Sequence, residues 1–324
     1  MNGPRPPLVS IVVPCYDEEE VFGALRQRLS SLDEASIRCS LEFVLVDDGS
    51  RDRTWDAIGD FARSDSRVRG LRLSRNFGHQ FALSCGYDAA AGDAVISIDA
   101  DLQDPPELIP QMIDLWHQGV DVVYAVRQRR EGETLFKRLT ARIFYRLMRA
   151  IGASQVRLDS GDFRLLSRRA LDALNRMREH HRFVRGMVGW IGFREAEVRY
   201  HRAARAAGVT KYPLRKMVRL ALDAAVSFSM IPLRLAYLSA FLLALSLVGY
   251  LAYATVKILV FHENPVRGWT SVIFATMAFG CINLFCLGIM GEYVGRIFEQ
   301  VKGRPLYLVS EEIGTPPPPA PPRR

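Results

Sequence analysis

The chain has 324 residues, with 43 Lys/Arg against 35 Asp/Glu and a net charge of +8. That length allows one large domain or two smaller ones. Its five cysteines are scattered without CxxC spacing, which speaks against a disulfide or zinc framework, and 1–10, MNGPRPPLVS, has no apolar core of signal-peptide type. Strand-like and helix-like segments then alternate. LVSIVVPC (8–15) reads as a buried strand, and EEEVFGALRQRLSSL (18–32) as a helix with acids in its first turn, where they suit the helix dipole. LEFVLVDD (41–48) is a second strand. DRTWDAIGDFAR (52–63) is a helix with Trp55, Ile58 and Phe61 on one side. VRGLRLS, GHQFALSCGYDAAAG, AVISID, PELIPQMIDLWHQG and VDVVYAV continue the alternation to residue 126. Strands separated by helices predict an α/β fold with a doubly wound, mostly parallel sheet, whose ligands bind beyond the carboxyl ends of the strands.

Polar residues crowd those ends. Pro14, Tyr16, Asp17 and Glu18 follow the first strand, and Asp47, Asp48, Gly49 and Ser50 the second. Arg75, Asn76 and Gly78 follow the third, Asp99, Asp101 and Gln103 the fourth, and Arg127 the fifth. One acid at a strand end is commonly a helix cap; polar sets at every end point to a ligand. The phosphate-cradling patterns GxGxxG, after the first strand, and GxxxxGK[ST] are both absent. A phosphate ligand would therefore be held through a metal or through basic side chains. Asp99-x-Asp101 offers hard oxygens of the kind Mg²⁺ or Mn²⁺ takes, and those ions bridge to substrate phosphates. Asp162 follows Ser-Gly and reads by itself more readily as a turn or cap residue than as a functional one, with a short apolar run and a helix after it.

From 135 to 151 apolar and basic residues interleave as in a basic amphipathic helix, and residues 215–231 have similar character; such helices suit a membrane interface. Between 202 and 219 there are six Lys/Arg and no acid. Two uncharged stretches, 235–256 and 269–290, follow. Each would span about 33 Å as a helix, the thickness of a bilayer's hydrocarbon. They turn the basic cluster toward an anionic membrane surface rather than nucleic acid. The positive flanks before the first and after the second predict two spans with both termini in the cytoplasm.

The segments VSIVVPCYDEEE, FVLVDDGSRDRT, LSRNFGHQFALSCGYDAAAGD, ISIDADLQDPPELIP and SGDFRLLSRRAL, in this order, resemble glycosyltransferase family two, with the GT-A fold. VRGMVGWIGF and AGVTKYPLRKMVRLALDA resemble its polyprenyl-phosphate branch, which holds dolichol-phosphate mannose synthases and bacterial undecaprenyl-phosphate glycosyltransferases with two C-terminal membrane helices. The likeness covers about residues 8–305. It implies a flexible 1–8, a cytoplasmic catalytic domain at 9–214, and a juxtamembrane helix at 215–231. Membrane helices at about 235–258 and 269–290, within 232–291, would follow, then a cytoplasmic tail, 292–324, with a disordered Pro-rich end.

The resemblance also implies roles. Pro14, Tyr16, Glu18 and Asp48 would line the nucleoside pocket, with Asp47 and Asn76 on the donor side and Asp48 at the base. Asp99, Asp101 and Gln103 would hold the metal, Asp101 foremost, and Asp162 would stand at the reacting centre. Arg127, Lys137 and Arg138 would face the acceptor phosphate, while Arg202, Thr210, Lys211 and Tyr212 close over the donor and acceptor phosphates. Asp17 stands where the family often has Asn, and Thr210 where Ser is frequent. The activity implied is inverting transfer of a sugar from a nucleotide sugar to a polyprenyl phosphate in the bacterial plasma membrane, by a homo-oligomer that in the family is a tetramer. Glucose from UDP leads, with N-acetylhexosamine, aminoarabinose and GDP-mannose open. A processive polysaccharide synthase would carry a Gln-x-x-Arg-Trp motif, which is absent. A non-catalytic membrane scaffold would not be expected to keep Asp48, Asp99, Asp101 and Asp162 together.

Overall fold

The structure, a computed structural model, describes residues 6–127, 160–200, 231–261 and 268–314. They form two units. One is an α/β domain built from what is described up to residue 200 and again from Pro305 onward; the other contains the helices between 231 and 304.

The domain is organised on eight strands: β1 (Leu8–Cys15), β2 (Ser40–Asp47), β3 (Val68–Leu73), β4 (Ala94–Ser97), β5 (Val122–Arg127), β6 (Ser160–Ser167), β7 (Glu195–Tyr200) and β8 (Val309–Ile313). They lie in the order β7-β5-β6-β4-β1-β2-β3-β8. β1 pairs in parallel with β2 and β4, β2 with β3, and β5 with β7. The inner strands are continuous apolar runs because helices cover both faces. α1 (Glu19–Ser30), α3 (Thr54–Ser64) and α5 (Ile109–His117) set Phe22, Leu25, Ile58, Phe61, Met112 and Ile113 against Ile11, Phe43 and Ile96 on one face. The short α2 (Glu34–Ile37) adds Ile37 there. On the other face α4 (His79–Ala89), α6 (Arg168–Arg176) and α7 (Val184–Trp190) set Leu83, Tyr87, Leu171, Leu174 and Met187 against Val12, Val44 and Val95. The α/β sheet anticipated from the alternation is present, and it is mixed, with β6 and β8 antiparallel to their neighbours.

Two strands depart from expectation. Residues 160–167, read as a turn and a short apolar run, form β6, inserted antiparallel between β4 and β5. The stretch 292–324 was expected as a cytoplasmic tail with a disordered Pro-rich end, and no strand was assigned in it. Instead, residues 309–313 return to the sheet as β8, antiparallel to β3. Trp55 Nε1 donates to Glu311 at 3.3 Å, Arg69 Nε to Glu312 at 2.6 Å, and the Tyr307 hydroxyl to Asp88 at 2.6 Å. The Pro-rich end, 315–324, lies outside the described residues.

The second unit contains α8 (Ile231–Phe261) and α9 (Trp269–Val301). Where two spans were expected, one stretch among the described residues, Ala275–Val301, is long and apolar enough to cross a membrane by length and composition. On α8 the apolar stretch is the shorter Leu238–Tyr250. The pair touches where Cys286 Sγ reaches the Ala236 carbonyl at 3.7 Å. The expected amphipathic helix at 135–151 and the juxtamembrane segment 215–230 lie outside the described residues.

Candidate active site

The antiparallel course of β6 builds the site. Its first residues arrive at the carboxyl end of β4, so Asp162 is brought beside Asp99. The register Ser97↔Arg164 fixes this, and the Ser97 hydroxyl, itself accepting from Tyr87 at 2.9 Å, donates to the Asp162 carbonyl.

Around this point the loops are tied tightly. Asp48 is buried, and its two oxygens accept the N–H groups of Phe77 at 2.8 Å and Gly78 at 2.9 Å. Asp47 accepts the Ser50 N–H at 3.1 Å and faces Arg72 Nε at 3.4 Å. Thus both acids of the DDGS turn bind their own domain: Asp48 holds the loop after β3, and Asp47 holds its own turn. Gly49 has φ of 68°, and a Cβ there would meet the Arg75 carbonyl carbon at 2.6 Å. Only glycine fits that approach. Asp17 has φ of 53°, donates its N–H to Ser50 Oγ at 3.0 Å and accepts the Arg51 N–H at 2.8 Å. Asn and Asp are the side chains that best tolerate this left-handed conformation, a physical reason for their exchange at this position.

The acids of β1 and β4 form a cluster. Burial, then the Asp101 and Asp99 charges, push the Glu18 carboxyl up to about 7. Asp99 is pushed up to about 6 by burial, against the pull of His79 and with Asp162 and Asp104 adding to the rise. Asp101 Oδ1 accepts the Gln103 N–H at 3.1 Å across Leu102, whose φ is 57°. Asp104 is buried and accepts the Tyr200 hydroxyl. Asp99 Oδ1 and Gln103 Oε1 are buried and accept no hydrogen bond. Buried oxygens left in this state cost free energy unless something satisfies them. A hard divalent cation would do so, and Asp99, Asp101 and Gln103 fit Mg²⁺ or Mn²⁺ as all-oxygen ligands.

His79, Asp99 and Asp162 also bring ligand atoms within 4.8 Å of one another. Asp162 is less suited to a cation because its oxygens are engaged. Oδ1 accepts from Arg164 at 2.6 Å and Arg185 Nε at 3.1 Å, and Oδ2 from Arg185 Nη2 at 2.9 Å, with His79 Nε2 at 3.2 Å. Burial would raise its carboxyl, but the His79 hydrogen bond and the two guanidiniums outweigh burial and hold it well below the usual range. His79, Arg164 and Arg185 were not singled out in the sequence. A usable signal was present: His79 opens the helix after the third strand, at the same rim as Asn76, and Arg185 lies within VRGMVGWIGF.

Of the other expected site residues, Pro14 is buried at the end of β1, while Tyr16 and Asn76 are exposed at the rim. Arg127 ends β5 in register with Tyr200. Lys137, Arg138, Arg202, Thr210, Lys211 and Tyr212 lie outside the described residues.

A sequence profile described as Glycosyl transferase family 2 matches residues 10–174. The chain belongs to glycosyl transferase family 2. It is accordingly a glycosyltransferase, and the rim described above lies mostly within the family segment. An uncharacterized glycosyltransferase of Bacillus subtilis, YkcC, is 44% identical over 306 residues, covering 94% of each chain. The SfII prophage-derived bactoprenol glucosyl transferase of Shigella flexneri is 39% identical over 304 residues, covering 94% of this chain and 97% of its own. Among solved structures, a mannosyltransferase from Pyrobaculum calidifontis in complex with GDP-Man and Mn²⁺ is 19% identical and has a TM-score of 0.45. That match covers 86% of this chain and 87% of the other.

Proposed function

We propose that this family 2 glycosyltransferase moves a sugar, glucose from UDP as first choice, onto a polyprenyl phosphate at the membrane, with inversion. The observation that carries the reading is one juxtaposition. Buried side-chain oxygens without a hydrogen bond (Asp99, Gln103) adjoin a cluster in which two guanidiniums, Arg164 and Arg185, grip the Asp162 carboxylate. Such a site can hold two phosphate-bearing substrates side by side, one through a cation and one through side chains. The near full-length likeness to a bactoprenol glucosyl transferase supports the lipid and the sugar.

In this reading an acceptor phosphate oxygen attacks the anomeric carbon. The bond from that carbon to the donor diphosphate breaks, and the nucleoside diphosphate leaves with the electron pair. A phosphate oxygen is already ionised at neutral pH, so no general base is required. Asp162 has the matching character: a carboxylate with four hydrogen-bond donors on it serves position better than proton removal. A cation held by Asp99, Asp101 and Gln103 would stabilise the charge that develops on the leaving diphosphate. Helices α8 and α9 serve in this reading as two membrane spans; apolar side chains such as Phe241, Leu245, Phe279 and Leu284 are exposed along them. The oligomer implied by the resemblance belongs to the same proposal.

The test uses the purified full chain with undecaprenyl phosphate, Mg²⁺ and a panel of nucleotide sugars. Glycolipid should form, fastest from UDP-glucose, and Asp101→Asn should lower the rate by more than about 100-fold with the fold intact. No glycolipid from any donor would leave a scaffold role in its place.

A further inference from the structure

We infer that Glu311, in the C-terminal strand β8, is a positioning residue for the donor rim: acting through Arg72, it sets the buried carboxylate of Asp47 and with it the DDGS turn. The inference rests on the proposed reading of that turn as the nucleotide-sugar side, and ties to it a strand from the far end of the chain.

The first argument is register. Asp47 pairs with Arg72 across β2 and β3, and Arg72 pairs with Glu311 across β3 and β8. The three side chains therefore stand in one row on one face of the sheet, in the order acid, base, acid. The row lies at the carboxyl ends of β2 and β3, where the loops carry the expected donor residues. Trp55, from α3, is on the same face, and its ring centre is 5.7 Å from the Arg72 guanidinium.

The second argument is what each charge depends on. Asp47 is wholly buried, and its Oδ2 accepts no hydrogen bond. Arg72 Nε faces that oxygen at 3.4 Å. A buried carboxylate in this state depends on its cation staying in place. Glu311 holds the cation from the other side. Its Oε1 accepts from Arg72 Nη1 at 2.9 Å, while its Oε2 accepts from Trp55 Nε1 at 3.3 Å. Arg72 is thus fixed between two carboxylates and a ring. Asp47 in turn accepts the Ser50 N–H at 3.1 Å, and Ser50 Oγ accepts the Asp17 N–H at 3.0 Å. One run of contacts joins β8 to the turns after β2 and β1.

The third argument is a separate contact at the same rim. The Leu308 carbonyl, just before β8, accepts the Ser74 N–H at 2.9 Å. Ser74 opens the loop whose Phe77 and Gly78 N–H groups Asp48 holds. Glu312 provides the contrast. It lies on the opposite face and accepts from Arg69 Nε at 2.6 Å, and Arg69 continues to the Ala89 carbonyl, at the end of α4, at 3.1 Å. Both glutamates anchor β8, but the contacts of Glu311 run on to the rim and those of Glu312 to α4.

The experiment compares Glu311→Gln, Glu312→Gln and Arg72→Gln in the full chain in detergent. An amide at 311 keeps the length but loses the charge and turns an N–H₂ group toward one of its two donors. Glu311→Gln should speed hydrogen exchange in peptides covering 47–54 at least about threefold. It should raise KM for the nucleotide sugar that the wild type uses best by a similar factor, with kcat within about twofold. Glu312→Gln should speed exchange at 309–313 as Glu311→Gln does, yet leave 47–54 and the donor KM unchanged. Glu311→Gln added to Arg72→Gln should cost nothing further at the rim, because one acts through the other. Exchange is read without substrate, so it decides the run of contacts even if the donor reading of the rim fails. Unchanged exchange at 47–54 in Glu311→Gln would overturn the inference. Equal effects of the two glutamate variants at the rim would overturn it too, and would make β8 a structural strand alone. Faster exchange with no rise in donor KM would overturn the role toward the donor.

Discussion

Leu102 stands at φ of 57°, a conformation that a branched apolar side chain adopts only under strain, and it stands between Asp101 and Gln103. The strained turn lets the Asp101 carboxylate accept the Gln103 N–H. Residues held this way should reveal themselves by titration. Glu18 is raised from an ordinary value near 4.5 to about 7, and Asp99 from near 3.8 to about 6. Between these limits the folded chain binds more protons than the unfolded one, so stability falls as pH rises from about 4 to about 7. His79, whose imidazole is held above its usual value by the Asp162 and Asp99 carboxylates against the effect of burial, acts with the same sign at higher pH. In chelator, the thermal midpoint should fall across this window, by about 2–4 °C for each kcal/mol lost. Mg²⁺ or Mn²⁺ should restore it at pH 7.5 and hardly change it at pH 5. Asp99→Asn should flatten the pH dependence. A midpoint that rises with pH in chelator would contradict the acid cluster.

At the scale of elements, β6 and β8 separate what was legible in the sequence from what was not. β1 was visible as LVSIVVPC because a strand covered on both faces needs an unbroken apolar run. β6 has only Phe163, Leu165 and Leu166 as apolar residues, broken by Arg164, and its antiparallel insertion is a long-range pairing that no local pattern encodes. That insertion carries Asp162 to Asp99, so the candidate site was legible as residue types and resemblance, not as an arrangement. The ion pairs around Asp162 were illegible for the same reason, since Arg185 lies 23 residues from Asp162 and His79 lies 83. β8 was missed because VSEEI has two charges and only its last residue is partly buried. It is held instead by Trp55, Arg69 and Arg72 on Glu311 and Glu312, and by Tyr307 on Asp88. Tyr307→Phe should lower the stability of the α/β domain by about 1–3 kcal/mol, the range for a hydrogen bond to a charged group. Ending the chain after Gly303 should cost more and make β3 accessible to protease. Chemical denaturation and limited proteolysis in detergent would measure both, and a truncated chain as stable as the full one would show β8 to be dispensable.

For the whole molecule, the proposal makes α8 and α9 a hairpin through the membrane with both ends on the catalytic side. A single cysteine at Asn264, in a variant otherwise free of accessible thiols, should react with an impermeant reagent added outside intact cells. One at Ser310, in β8, should react only after the membrane is opened. Labelling in the opposite sense would place the catalytic domain outside. The position of β8 in the chain has a further consequence for how the protein is made. The strand that closes the β3 edge is translated only after both long helices. Until then β3 presents unpaired N–H and C=O groups, the kind of edge on which chains stick to one another. A product that stops within the helices would keep that edge open to proteases and chaperones, while one that reaches Ile313 can close it.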